Sequence, residues 1–267
     1  MSTSGSKPQF GMTEERDVMV PMRDGTRVAV DIFRPNDDGA FPALLGMSPY
    51  GKGLQSLPIA YQPDHSPIHH TPIEAGDPAY FTARGYVQII ADVRGTGQSE
   101  GEYLGWISPQ EARDGYDLIE WMADQPWCDG NVGMVGISYF GTVQLPVAAE
   151  QPPHLKAIMP WNAPADFYRE STHHGGILQS FFHYLYVQRI CADRSTSVTV
   201  KETSSDELRA LITELKQDPD ICINPEFFTF LDNPGKAPNF FDILAHPLDG
   251  PYYWERSPYT MYDRIKI

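Results

Sequence analysis

The stretch VGMVGISYFGTVQLPVAA, at residues 132–149, decides the fold. Its apolar beginning is typical of a buried strand, and its last part, 143–149, can form a helix. Between them lies GISYFG at 136–141, where a sharp strand-to-helix turn can hold a serine in a strained conformation with its hydroxyl exposed. The glycines fit such a turn because it brings flanking backbone segments close together. The pattern predicts that Ser138 is a nucleophile, although a purely structural turn would need the same glycines.

The spacing of the glycines around Ser138 departs from the usual Gly-x-Ser-x-Gly pattern of nucleophilic turns. Phe140 stands two residues after the serine, and Gly141 comes one residue later. The main-chain N–H of Tyr139, directly after the serine, would point to where an oxyanion forms, near the positive end of the following helix. The sequence therefore predicts a turn that both presents a nucleophile and stabilises negative charge.

Strand and helix patterns alternate on the N-terminal side of this stretch. Two runs with alternating apolar residues, 18–22 and 26–33, flank an Asp-Gly turn and predict a β-hairpin. A capping box, Ser108-Pro109-Gln110-Glu111, opens a helix that should end before Pro126. Short, mostly apolar runs of the kind found in strands buried on both faces lie at 41–47, 86–91, 132–137 and 157–159. The alternation predicts an α/β fold with a mostly parallel sheet.

The chain divides by composition into three parts. Residues 1–15 predict a disordered leader, and residues 16–163 together with 251–267 predict the α/β domain. Segment 164–250 is rich in aromatic residues, proline and histidine and lacks β alternation, so it predicts a helical cap insertion. Its helical stretches are expected at 176–190 and 205–217. The last four residues, 264–267, are consistent with the start of a further strand.

Charge and composition exclude several classes of function. The 267 residues include 35 acidic and 20 basic side chains, for a net charge of −15, so nucleic acid and anionic membranes are poor partners. No apolar run approaches the roughly 20 residues that a membrane span needs. The three cysteines match no disulfide framework or zinc pattern, and the glycine-rich loop at 94–97 lacks the lysine of a phosphate-binding loop. A cytoplasmic protein without metal or cofactor is expected.

Six motifs give the chain a family resemblance. They are VPMRDGT (20–26), SPYGK (48–52), ADVRGTGQSEG (91–101), EWMADQPW (120–127), GNVGMVGISYFG (130–141) and WERSP (254–258). In this order they resemble the N-terminal half of the cocaine esterase/X-Pro dipeptidyl-peptidase (CocE/NonD) hydrolases, which include the α-amino-acid ester hydrolases. The resemblance implies an α/β-hydrolase domain in which Ser138 is the nucleophile.

The resemblance also implies an oxyanion hole made by the main-chain N–H of Tyr139 and the phenol of Tyr50. Tyr50 follows the predicted strand at 41–47, from which α/β-hydrolases send their second oxyanion donor. A phenol is a competent donor toward developing negative charge. A packing role for Tyr50 is the alternative, since the chain has 14 tyrosines.

A serine nucleophile needs a histidine base and a carboxylate that orients it, in the chain order Ser, Asp or Glu, His. In the family that this chain resembles, both partners lie beyond residue 267, as does a β-sandwich domain. The histidines within the chain are more typical of solvated or pocket-lining positions, and this holds for the candidate bases His65, His69, His70, His173 and His174. The chain alone is therefore expected to be inert and to need a C-terminal complementing segment or a homo-oligomer.

The sequence predicts a serine hydrolase that cleaves esters, amides or short peptides through an acyl-enzyme. Aromatic residues of the insertion would line its acyl pocket, namely Phe167, Tyr168, Phe181, Phe182, Tyr184 and Tyr186. An X-Pro dipeptidyl aminopeptidase is an alternative, for which Asp166 or Glu170 would bind the substrate amine. A non-catalytic truncated chain, or one half of a split enzyme, is an alternative of another class.

Overall fold

A computed structural model of the chain describes residues 6–53, 74–180 and 195–267. Within these ranges, six strands form one mixed sheet with the order β1-β2-β4-β3-β5-β6. The strands are β1 (Met12–Pro21), β2 (Arg27–Pro35), β3 (Phe41–Ser48), β4 (Val87–Asp92), β5 (Cys128–Ile137) and β6 (Leu155–Trp161).

The sheet has an antiparallel hairpin at one side and a parallel body. β1 and β2 pair antiparallel, with Val20 opposite Val28, and β2 pairs antiparallel with β4. β3 is parallel to both β4 and β5, and β5 is parallel to β6. The predicted hairpin and the predicted mostly parallel sheet are both confirmed. Because parallel strands end at the same edge, the residues that follow β3, β4 and β5 are brought together there.

The N-terminal strand begins earlier than the sequence suggested, so the predicted disordered leader of residues 1–15 is too long. β1 starts at Met12 and pairs with β2 as far as Pro35. Residues 12–17 show no apolar alternation because most of this strand faces solvent at the side of the sheet. Main-chain hydrogen bonds and an ion pair between Glu15 and Arg34, 2.7 Å apart, hold it in place.

Helix α2 (Pro109–Ala123) is the longest helix beside the sheet and begins where predicted. The Ser108 hydroxyl accepts a hydrogen bond from the Glu111 N–H at 3.3 Å, which is the first half of the predicted capping box. The carboxyl of Glu111 instead contacts the phenol of Tyr139 at 2.7 Å. The buried face of α2 packs on the sheet through Leu118, Ile119 and Met122. Shorter helices in this half are α1 (Pro78–Thr82), α3 (Tyr139–Thr142) and α4 (Gln144–Ala149).

The segment after β6 contains short helices and one small hairpin. A π-helical turn (Tyr168–Thr172) leads into β7 (His173–His174) and β8 (Ile177–Leu178). The helix expected at 176–190 is therefore wrong at its beginning, because Gly175 and Gly176, with φ of 64° and 84°, form a turn between the two strands. The remainder of that stretch from residue 181 lies outside the described residues.

Other helices of the C-terminal part follow residue 195. The helix expected at 205–217 is confirmed as a helix that ends at Leu215, and a capping box between Ser204 and Glu207 starts it. The helices are α5 (Val198–Glu202), α6 (Ser205–Leu215), α7 (Pro219–Cys222), α8 (Phe227–Asp232), α9 (Pro238–Ala245) and α10 (Pro251–Trp254). A 3₁₀ segment (Pro258–Arg264) follows, and residues 265–267 are not in a strand, contrary to the expectation. Whether segment 164–250 acts as a cap stays a prediction.

The glycine-rich loop after β4 is a structural turn, as its lack of a phosphate-binding lysine indicated. The Arg94 guanidinium contacts the carboxylates of Asp114 and Asp24, each at 2.6 Å. At Gly97, with φ of 47°, a Cβ would lie 2.1 Å from the Asp92 carboxylate, so no other residue fits. None of the helices within the described ranges is long and apolar enough to span a bilayer.

Candidate active site

Ser138 lies at the carboxyl end of β5, directly before α3, in the strained conformation that the sequence predicted. Its φ of 59° and ψ of −118° fall outside the regions that ordinary residues favour. Main-chain hydrogen bonds hold it there: its N–H donates to the Trp161 carbonyl at 2.9 Å, and its carbonyl accepts from the N–H groups of Gly141 at 3.0 Å and Thr142 at 2.8 Å. The neighbouring strand and the following helix thus fix the position of the serine.

The glycines of the turn are required by close backbone contacts. At Gly136, with φ of 150°, a Cβ would lie 2.3 Å from the Cβ of Phe140. At Gly141 a Cβ would lie 2.7 Å from the Trp161 carbonyl oxygen on β6. Phe140 can occupy the usual glycine position because its ring passes over Gly46 of β3, where even an added Cβ would be only 3.3 Å away. The shifted glycine therefore reflects how this turn packs between β3 and β6.

Tyr139 combines an available main-chain donor with a fully buried side chain. As the first residue of α3, directly after Ser138, Tyr139 has an N–H with no acceptor within the helix. Its phenol oxygen lies 2.7 Å from Glu111 Oε2, 3.1 Å from the Tyr103 phenol and 3.2 Å from the Ile107 N–H. Burial, and then the nearby Glu111, raise the pKa of Tyr139 well above its ordinary value. The side chain is therefore a neutral anchor.

Tyr50 lies just beyond the end of β3 and packs on the turn that follows Ser138. Its ring contacts Tyr139 edge-on, with centroids 5.7 Å apart, and contacts Phe140 at 6.0 Å. The Tyr50 N–H donates to the Ser48 hydroxyl at 3.2 Å, which fixes the chain where it leaves the strand. The three residues predicted for the site, Ser138, Tyr139 and Tyr50, are thus brought together.

A buried ion cluster anchors the loop that carries Tyr50. The Lys52 ammonium, 7% exposed, contacts Asp17 and lies 3.1 Å from Asp31 and 4.0 Å from Asp92. The Lys52 N–H also donates to the Asp92 carboxylate at 2.6 Å. Burial alone would lower the pKa of Lys52, but the carboxylates of Asp17 and Asp31 outweigh it and raise the pKa. Lys52 therefore remains charged and joins the β1–β2 hairpin to the loop that carries Tyr50.

A cavity of about 470 Å³ opens beside the nucleophile. Its lining residues are Trp106, Ser138, Asn162, Ala163, Pro164, Glu170, Ser171, His174 and Gln179. Trp106, which sequence reasoning missed, stacks on Tyr139 with centroids 5.8 Å apart and planes inclined by 15°. Its position before the Ser108 cap gave no signal of such a role. The cavity is large enough for a small acyl group with its leaving group.

The aromatic residues predicted to line the acyl pocket do not line this cavity where they are described. Phe167 and Tyr168 are buried in a separate cluster with Tyr252 and Tyr253 of the C-terminal part. Phe167 reaches the site only indirectly, through an edge contact with Trp106 at 5.0 Å. The other four residues in that prediction lie outside the described ranges: Phe181, Phe182, Tyr184 and Tyr186.

The described histidines do not form a catalytic pair with Ser138. His174 lines the same cavity, and its Nε2 donates to the Glu170 carbonyl at 2.9 Å. His173 is buried, stacked on Tyr168 with centroids 4.5 Å apart. In residues 6–53, 74–180 and 195–267, no histidine is hydrogen-bonded to the Ser138 hydroxyl. Outside these ranges are His65, His69 and His70.

Glu74 is a second residue near the turn that the sequence analysis did not single out. Its carbonyl accepts a hydrogen bond from the Ile137 N–H at 3.0 Å, directly before the serine. Its Oε2 is buried and has no hydrogen-bond partner among the described residues. Burial raises the pKa of Glu74 to about 7. No sequence pattern around residue 74 indicated this position.

No cluster of three or more histidine, cysteine or carboxylate side chains in the described part of the chain is placed to hold a metal ion. The site as described consists of a strained serine, an amide donor, a tyrosine ring beside them and an open cavity. Such an arrangement can present a hydroxyl to a carbonyl carbon and receive charge on the carbonyl oxygen.

Comparisons with known proteins place this geometry in a family. The family model described as X-Pro dipeptidyl-peptidase (S15 family) matches residues 24–234. The chain is 40% identical to the cocaine esterase of Rhodococcus sp. (strain MB1 Bresler) over 153 residues, which are 57% of this chain and 24% of that protein. It is 25% identical to the Xaa-Pro dipeptidyl-peptidase of Lactobacillus helveticus (strain DPC 4571) over 201 residues, which cover 57% of this chain and 25% of that protein.

A solved structure of a CocE/NonD family hydrolase from Staphylococcus aureus superimposes with a TM-score of 0.70 and 31% identity, over 96% of this chain and 40% of that chain. The likeness confirms the predicted α/β-hydrolase fold. The matched part spans about a quarter of the length of the two curated relatives. The chain belongs to the X-Pro dipeptidyl-peptidase (S15) family.

Proposed function

We propose that this member of the X-Pro dipeptidyl-peptidase (S15) family is a serine hydrolase that cleaves ester or amide bonds through an acyl-enzyme on Ser138. The observation that carries the proposal is the strained backbone of Ser138, with φ of 59°, at the junction of β5 and α3 beside an open cavity. Strain of this kind persists where surrounding structure enforces it and is concentrated at functional sites.

In the proposed reaction the Ser138 oxygen attacks the acyl carbon and a base takes the hydroxyl proton. The carbonyl oxygen becomes an oxyanion that receives hydrogen bonds from the Tyr139 N–H and the Tyr50 phenol. Collapse of this intermediate releases an alcohol or amine, which takes up the proton, and leaves an ester on Ser138. Water then attacks that ester by the same route and frees the serine and a carboxylic acid.

The proposal is tested with a fluorophosphonate probe and a p-nitrophenyl acyl ester. In an active preparation, labelling at Ser138 is expected, and Ser138→Ala should abolish labelling and lower turnover by about 10⁶-fold. Ser205→Ala, at the exposed start of α6, is the matched control and should leave both unchanged. A Ser138→Ala protein that retains more than a few per cent of activity would remove Ser138 from the mechanism.

An X-Pro dipeptidyl aminopeptidase is the second candidate, and the position of Glu170 favours it. Glu170 lines the cavity beside Ser138, where its carboxylate is held by the N–H groups of Ala165 at 2.6 Å and Asp166 at 3.2 Å. Asp166, the other acid considered, is paired with Arg169 at 2.6 Å. Glu170 is therefore the better placed of the two to attract a substrate amine.

This candidate is tested by comparing an Ala-Pro p-nitroanilide with a free amine and the same compound acetylated at its amine. Glu170→Gln should raise KM at least tenfold for the free amine only. Glu214→Gln, at an exposed position of α6, should leave KM unchanged for both substrates. Equal KM changes for both substrates would indicate that Glu170 does not recognise the amine.

The cytoplasmic location and the small-molecule or short-peptide substrate stay predictions from the sequence. A complementing C-terminal segment or homo-oligomer also stays a prediction. Each concerns full-length proteins of this kind, and the chain spans only part of the length of its relatives.

A further inference from the structure

The Tyr139 phenol sits in a buried network that the proposed reaction does not use directly. It has one proton to donate and two lone pairs to accept with. The phenol donates a hydrogen bond to Glu111 Oε2 at 2.7 Å. The Tyr103 hydroxyl at 3.1 Å and the Ile107 N–H at 3.2 Å therefore both donate to the Tyr139 oxygen. Every hydrogen-bonding position of the phenol is thus filled.

The partners of Tyr139 come from the segment 103–111, which leads into the first turn of α2. Glu111 lies 28 residues before Tyr139, on the first turn of α2. Ile107 takes a φ of 49°, which is unusual for a β-branched residue. In this strained conformation the Ile107 N–H donates to the Tyr139 phenol, and the preceding residue, Trp106, stacks on the Tyr139 ring.

We propose that Glu111 is a positioning residue for the oxyanion hole, holding the Tyr139 side chain and through it the Tyr139 N–H in the orientation that receives negative charge. The inference rests on the proposed function. A peptide N–H cannot swing freely when the side chain of the same residue is hydrogen-bonded at its far end, stacked against one ring and in edge contact with another. The Tyr50 and Trp106 rings supply those contacts, at 5.7 and 5.8 Å.

The charge state of Glu111 matters for this role. Burial raises the pKa of Glu111 to about 8, and Asp114 acts in the same direction, so at pH 7 the carboxyl is mostly neutral. Its other oxygen, Oε1, is buried with no hydrogen-bond partner among the described residues. An ionised Glu111 would place negative charge behind the oxyanion hole and oppose the developing oxyanion. Charged or titratable groups that face it are Tyr103, Tyr139, Asp114, Arg94 and Glu102.

The inference is tested by hydrogen exchange on the 267-residue chain, and by kinetics on the same chain in an active preparation that includes the C-terminal segment it is expected to need. Tyr139→Phe should accelerate exchange of the amides at 138–142 at least tenfold and lower kcat at least tenfold, with KM within twofold. Glu111→Leu should do the same, whereas Glu111→Gln, which keeps a neutral acceptor, should match the wild type at pH 7. Above pH 8 the kcat of the wild type should fall and that of Glu111→Gln should not.

Two controls separate positioning from general loss of a buried polar group. Tyr253→Phe removes a buried phenol that donates to the His246 carbonyl at 2.7 Å, and Asp242→Asn alters a buried carboxyl that caps α5. Both should leave exchange at 138–142 and kcat unchanged. The same exchange and kcat in Tyr139→Phe as in the wild type would overturn the inference. An active preparation in which the fluorophosphonate does not label Ser138 of the wild-type chain would instead count against the proposed function, and the inference would fall with it.

Discussion

Gly136 and Phe140 lie so close across the nucleophilic turn that a Cβ on the glycine would be 2.3 Å from the Cβ of the phenylalanine. The contact joins the last residues of β5 to the first turn of α3. The close contact therefore restricts the backbone conformation of Ser138, which lies between the two residues.

Gly136→Ala is therefore expected to destabilise the chain and to eliminate labelling of Ser138. The φ of 150° adds a backbone strain of about 1–3 kcal/mol to the steric overlap. Thermal unfolding followed by circular dichroism measures the loss. Gly235→Ala, where no atom lies within 4 Å of an added Cβ, is the matched control and should have little effect. An alanine at 136 with wild-type labelling would show that the turn can rearrange.

Tyr50→Phe should lower kcat about 10²–10³-fold and leave KM nearly unchanged, because an oxyanion donor acts mainly in the transition state. The ring contacts with Tyr139 and Phe140 should survive the loss of the hydroxyl. Steady-state kinetics on a p-nitrophenyl ester checks this, with Tyr80→Phe, at an exposed tyrosine, as control. A rise in KM alone would assign Tyr50 to substrate packing.

Lys52→Met should cost about 3–5 kcal/mol of unfolding free energy, since it leaves the buried carboxylates of Asp31 and Asp92 without their shared cation. Because Lys52 follows Tyr50 by two residues, kcat should fall as well. Urea titration measures the stability, and Lys156→Met, at an exposed lysine, provides the comparison. Unchanged stability would mean that Arg16, 2.7 Å from Asp31, compensates for the loss.

The stability of the folded chain should respond to the ionisation of Glu111. Its pKa is about 8 in the folded state and near the ordinary 4.5 when unfolded, so the folded state holds the proton more tightly. The contribution to stability is complete below about pH 4.5 and is lost as the pH rises through about 8. Urea unfolding between pH 5 and pH 9 should show a steeper decline for the wild type than for Glu111→Gln. Identical slopes would show that Glu111 is already ionised at neutral pH.

Much of this architecture could be predicted from local sequence. The hairpin has an Asp-Gly turn, the parallel strands are short apolar runs, and Ser108 marks the start of α2. The strand before Ser138 and the helix after it predicted the nucleophilic turn. Each of these signals depends on residues that are neighbours in the chain, which is why a pattern reveals it.

Contacts between distant residues could not be predicted in the same way. Glu111 fitted a capping box, and only the fold shows that its carboxyl contacts Tyr139. Trp106 became a cavity residue because the loop before α2 folds over the turn. The aromatic composition of the segment predicted Phe167 and Tyr168 in the acyl pocket. In the fold they pack instead with Tyr252 and Tyr253 in a separate cluster.

The charged outer strand β1 has a consequence for association between molecules. A strand at the side of a sheet presents unpaired main-chain groups on which a second chain can add. Along β1 the exposed side chains include Glu14, Glu15 and Arg16, and a bulge between Glu15 and Val18 bends the strand. These features make strand addition there unfavourable.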